Sequence, residues 1–193
     1  MNEQLFLQRY VPLTDFYLSG FWQDVSPNQM RQRPHPRVNS IAWNLWHITR
    51  CEDAGINRFV MRQTQVLDEG DWMPKLNLPW RHHGGDMTFA EVDELNQRIN
   101  VDALQAYMAA VQARTRQQLP AIMQLPLTNT LDATFVQQVV DHEGLALRNQ
   151  AGFTQNYTGW SLGKCLMTFA LTHPFQHVGE MEVLASMLDI NFT

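Results

Sequence analysis

The chain has 193 residues, 45% of them hydrophobic and 17% charged, which suits one globular domain spanning 1–193 and excludes a disordered chain. Fourteen Lys and Arg against nineteen Asp and Glu give a net charge of -5, and no basic run is long enough to track a phosphate backbone, so nucleic acid is not an expected partner. No stretch approaches about 18 uninterrupted apolar residues, "MNEQLFLQRY" has no leader pattern, and two cysteines make no disulfide framework; the expectation is a cytoplasmic chain with free thiols and no membrane span.

Residues 3 to 23 carry Leu5, Tyr10, Leu13, Phe16, Tyr17 and Phe21 at mixed three and four spacing, which predicts a first helix that Pro12 must kink or restart. Ser26-Pro27 predicts a short capped turn, and the two prolines of "RPHPR" predict extended chain. A second helix is expected from a cap at Asn39 or Ser40 to about Met61, with Ile41, Leu45, Ile48, Ile56 and Phe59 on one stripe. Residues 68 to 87 show no period and predict a long loop, with Trp72 and Trp80 as candidate walls of a substrate entrance. Thr88 and Glu91 predict a capping box for a short helix, Asn100 caps a third long helix ending before Pro120, and 132 to 141 add another short one. The last long helix should run from about Ser161 to Leu188. Four long helices without strand signals predict an all-α, antiparallel four-helix bundle with decorated loops.

Three ionisable residues interrupt the apolar stripe of that last helix. With about 100° per residue, His177 lies about 40° to one side of His173 and Glu180 about 20° to the other, in the sector of Leu162, Leu166 and Leu184. Buried polar groups need partners, and histidines four apart on one helix face can converge on one metal ion. The second helix offers His47 at the edge of its stripe and Glu52 within it. Cys51, four residues after His47, could approach the same ion, but Cys51 and Cys165 read first as packing residues. His82 and His83 lie in the loop, His35 lies between prolines, and His142 closes a short helix; all four read as surface histidines.

"HITRCE" (47 to 52) and "HPFQHVGE" (173 to 180), in this order and spacing, resemble the DinB/YfiT-like superfamily of metal-binding four-helix proteins. The resemblance implies a metal site of His47, His173 and His177. Two departures stand inside the motif. Pro174 should bend the helix near Ala170, and Val178 occupies a position where relatives often have arginine.

Three neutral histidines with an open position favour a divalent transition metal, zinc or nickel first. The resemblance implies an enzyme that binds a low-molecular-weight thiol as a thiolate and transfers it to a small electrophile, with Glu52 or Glu180 as the catalytic carboxylate. Two other readings are a metal-hydroxide hydrolase and a non-catalytic metal-binding or interaction protein, the latter marked by a closing fourth ligand such as Cys51. A homodimer is also expected. Bound imidazole must be neutral, so the sequence predicts loss of the ion as pH falls through about 6.5.

Overall fold

The apolar stripes of the sequence become four long helices, seen in a computed structural model that describes residues 2–190. Helix α1 (residues 3–24) opens with Asn2 accepting from the Leu5 N–H at 2.8 Å. Pro12 stops neither the helix nor its burial, because the chain widens into a π segment at Leu13–Tyr17 and resumes as Leu18–Asp24. A capping box of Ser26 and Gln29 starts α2 (Pro27–Arg31).

Ser40 caps α3 (residues 41–60), which is α-helical over Ile41–Glu52 and π-helical over Asp53–Val60, where the Met61 N–H reaches the Ile56 carbonyl at 2.9 Å. The expected long loop is partly ordered: it holds α4 (Trp72–Leu76). Helix α5 (Phe89–Arg98) has the predicted capping box, and α6 (Val101–Ile122) the predicted Asn100 cap. Helix α6 does not end before Pro120. The proline sits in the last turn, where it removes one hydrogen bond, while the fully buried Leu119 and Ile122 keep that turn on the core. Asp132 caps α7 (Ala133–His142), and α8 (Gln150–Tyr157) follows, a helix with no clear apolar stripe in the sequence.

Helix α9 (residues 162–187) begins after the Ser161 cap. It takes the π form at Thr168–Thr172, immediately before His173 and Pro174, which is where the missing proline N–H was expected to disturb the helix.

Contacts between helices give their directions. Asn44 meets His177, His47 meets His173 and Gly55 meets Phe169, so α9 runs antiparallel to α3. Arg50 meets Tyr107, Glu52 meets Thr115 and Gln63 meets Gln118, so α6 runs parallel to α3, which the long connection through residues 61–100 permits. Among the described residues there is no strand, only an isolated bridge between Thr130 and Ser161. No helix among them is long and apolar enough to cross a membrane.

Helices α3 and α9 pack tightly at Gly55 and Phe169. A Cβ on Gly55 would stand 2.3 Å from Phe169 Cδ2 and 2.7 Å from its Cβ. Gly55→Ala is expected to destabilise the fold by about 1–3 kcal/mol through overpacking, read by urea denaturation. An unchanged midpoint would show that Phe169 moves aside freely.

Candidate metal centre

His47 lies on the second turn of α3, and His173 and His177 lie on successive turns of α9. Antiparallel packing brings the three rings together: one ligand atom from each lies within 4.8 Å of the others. The His173 Nε2 is 3.2 Å from the His47 Nε2 and 3.1 Å from the His177 Nε2.

The opposite edges of two rings are fixed by oxygens. His47 Nδ1–H donates to the carbonyl oxygen of His83, and His177 Nδ1–H faces Asn44 Oδ1 at 2.7 Å and Glu180 Oε2 at 2.8 Å. With the proton on Nδ1, His47 and His177 each present a bare Nε2 lone pair to His173. A proton on His173 Nε2 satisfies only one of those contacts and leaves the lone pair of the other ring without a donor. One cation satisfies all three nitrogens. The separations of 3.1 and 3.2 Å also suit it, since metal–nitrogen bonds of about 2.0–2.1 Å place neighbouring ligands roughly 2.9–3.4 Å apart.

Burial favours the neutral forms of His47 and His173. It pushes His47 well below the usual histidine range, helped by the neighbouring His83 and His173, and it pushes His173 down to about 4, helped by His177. The Glu180 carboxyl is held below its usual range by the His177 hydrogen bond.

These directions move the expected pH window. In the unfolded chain His173 takes up a proton near 6.5, whereas in the fold it does so near 4. Between those values the unfolded state binds more protons, so metal-free stability falls as pH drops from about 6.5 to about 4. Folded His173 is still deprotonated in that window, and burial pushes His47 the same way. A zinc-induced rise in melting temperature is therefore expected to persist at pH 5.5 and to collapse by about pH 4, instead of disappearing through 6.5. Thermal melts with and without zinc at pH 7.5, 5.5 and 4.0 read this, and loss of the shift already at pH 5.5 would contradict it.

The two predicted carboxylates part company. Glu180 joins the site through His177, whereas the Glu52 carboxylate is turned to α1 and α6: its Oε1 accepts from the Tyr10 hydroxyl and, at 2.7 Å, from Thr115. Burial raises Glu52 to about 7. Cys51 is not among the three converging histidines; its Sγ lies 3.9 Å from both His47 ring nitrogens and groups with His83.

His82 and His83 are not surface residues. They are 3% and 4% exposed, because their loop folds over α3. Arg50, fully buried, holds it there, donating from Nε and Nη2 to the Arg81 carbonyl at 3.0 and 2.6 Å. His35 and His142 are exposed as expected. Trp43 stacks on His47 with centroids 4.6 Å apart. Of the tryptophans read as entrance walls, Trp72 packs on Tyr107 and Trp80 beside the His82 ring.

Sequence reasoning missed Asn44, the His83 carbonyl and Arg50. Asn44 and Arg50 stand three residues before and after His47 and were visible as polar residues in a wholly buried helix. A backbone carbonyl leaves no such trace. Partners of this kind tune ligand affinity by about 10–100-fold, so Asn44→Ala is expected to weaken zinc binding about tenfold, with Glu180 still holding Nδ1. Competition against a chromophoric chelator measures it; unchanged affinity would remove Asn44 from the site.

The sequence profile of the DinB superfamily matches residues 17–181. The chain belongs to the DinB superfamily. The matched span contains all three histidines of this DinB-superfamily chain and its Glu180. The crystal structure of a conserved protein from Enterococcus faecalis is similar over 98% of both chains, with a TM-score of 0.72 and 17% identity, and shares the fold. No curated protein matches the chain.

Proposed function

We propose that this chain is a divalent-metal-dependent enzyme that transfers a low-molecular-weight thiol to a small electrophile. The observation that carries the reading is the convergence of three histidine Nε2 atoms whose Nδ1 edges are fixed, on His47 and His177, by oxygens. Three protein donors fill fewer positions than zinc or nickel takes. Such an ion, when bound, supplies the positive charge that holds an external thiol as thiolate.

The protein's own groups orient and shield. Asn44 and Glu180 hold the His177 proton on Nδ1, and the His83 carbonyl does the same for His47. Trp43 covers one face of His47. Asn44 and Glu180 also border an open cleft of about 470 Å³ walled by Val38, Phe89, Val183 and Leu184, with Arg37 at its rim. Its apolar walls suit a small electrophile with an apolar body and an anionic end. Of the two predicted carboxylates only Glu180 borders the cleft, and in this reading it accepts the proton of an incoming thiol.

The test is a screen of metal-loaded protein with a series of low-molecular-weight thiols and small electrophiles. Turnover is expected to require both the ion and the thiol and to vanish in His177→Ala. Hydrolysis of an ester or amide without any thiol would replace this reading with metal-hydroxide chemistry.

A further inference from the structure

His47 belongs to two donor sets. One ligand atom from each of His47, Cys51 and His83 also lies within 4.8 Å of the others, and all three residues are buried. The Cys51 Sγ stands 3.9 Å from the His47 Nε2, close to the roughly 3.6 Å edge that metal–sulfur bonds of about 2.3 Å and metal–nitrogen bonds of about 2.0–2.1 Å give a tetrahedral ion. The second observation is on His83: its Nε2 is buried with no hydrogen-bond partner, in a residue 4% exposed. The Phe153 ring packs edge-on against this imidazole at 4.7 Å and closes the pocket from α8.

We propose that His47, Cys51 and His83 form a second, thiolate-containing position for a thiophilic ion such as zinc, sharing His47 with the three-histidine set so that one ion occupies one position at a time.

Occupation breaks the Cys51 S–H bond, forms a sulfur–metal bond and releases the proton to solvent; no electron moves. The His83 ring must also move its proton from Nε2 to Nδ1, which now accepts the Gly85 N–H at 3.2 Å. That peptide has to turn away, and Gly84, at φ +85, leaves the rotation unhindered by a side chain of its own. Soft sulfur selects thiophilic ions, whereas the all-nitrogen set is less selective. The chain therefore offers an all-nitrogen and a thiolate-containing position that share His47.

Cobalt(II) distinguishes the two, because nitrogen ligands alone give only weak ligand-field bands while a thiolate adds an intense near-ultraviolet charge-transfer band. One equivalent of cobalt(II) is added to metal-free full-length protein. In His173→Ala, and independently in His177→Ala, the charge-transfer band is expected at full strength, since only the thiolate position survives. Adding Cys51→Ser or His83→Ala to either should lower that band at least tenfold, with circular dichroism reporting that the helices are retained. Absence of the band in both single histidine variants would overturn the proposal, as would its persistence after His83→Ala. Failure of the three-histidine reading looks different: Cys51→Ser alone would then show no cobalt ligand-field bands, whereas a sound three-histidine set gives them undiminished.

Discussion

Asp53→Ala is expected to cost about 3–5 kcal/mol of stability, among the largest effects of any single substitution in this chain. Asp53 is wholly buried and collects five donors. Its Oδ1 accepts from the Val66 N–H and Asn57 Nδ2, each at 2.8 Å, and its Oδ2 from the Leu67 N–H at 2.9 Å and the Tyr107 hydroxyl at 2.5 Å. Arg50 Nη1 completes the set at 3.3 Å, with both side chains fully buried. Removing the carboxylate leaves a buried guanidinium whose remaining partners are neutral, and it orphans two backbone N–H groups. The damage reaches the metal centre, because the same guanidinium holds the Arg81 carbonyl and so the loop whose His83 carbonyl orients His47. Urea denaturation of metal-free protein measures the loss. Asp53→Asn, which keeps one acceptor oxygen and loses the charge and the second acceptor, should fall between wild type and Ala; a cost below about 1 kcal/mol for Ala would mean that the loop is not clamped this way.

The second large effect is on the ion. In a Cys51→Ser background, which removes the thiolate position, His47→Ala, His173→Ala and His177→Ala are each expected to weaken zinc binding by at least about a hundredfold, or about 2.8 kcal/mol, because removing a ligand exceeds the loss expected for its outer partners. His82→Ala should leave affinity nearly unchanged. His83→Ala should also spare it, although His83 matters to the site, because its contribution to His47 comes from the backbone carbonyl that alanine retains. Chelator competition at pH 7.5 orders the five variants, and equal weakening in all of them would dissolve the three-histidine assignment.

Much of the fold was legible because amphipathic periodicity is a property of side chains alone. The stripes of Ile41, Leu45, Ile48 and Ile56 and of Leu166, Phe169 and Leu184 become buried faces of α3 and α9. Ser40, Thr88, Asn100, Asp132 and Ser161 all cap the helices that follow them. Prolines were harder to read. Pro12 and Pro174 adjoin π segments that absorb the missing donor, and Pro120 sits where a helix has little left to lose. The direction of α6 was illegible, since a long connection allows either.

The histidines were visible because ionisable residues are costly in an apolar stripe and the two motifs place them on two different helices. Their supports were not. The burial of His82 and His83 depends on a loop pinned by Arg50 and Asp53, a tertiary effect that no local period carries. Glu52 shows the converse: its place in a stripe marked it as important, yet its hydrogen bonds tie it to Tyr10 and Thr115, where it joins α1, α3 and α6.

The proposed function requires His47, His173 and His177 to hold one divalent ion. The most direct measurement is elemental analysis of protein purified without a histidine tag and dialysed against a slight excess of zinc, for wild type and for the triple variant His47→Ala/His173→Ala/His177→Ala. The predicted result is one equivalent of zinc in wild type and essentially none in the triple variant, with the His35→Ala/His142→Ala double variant retaining the wild-type amount. Zinc absent from wild type, or retained in full by the triple variant, would contradict the account.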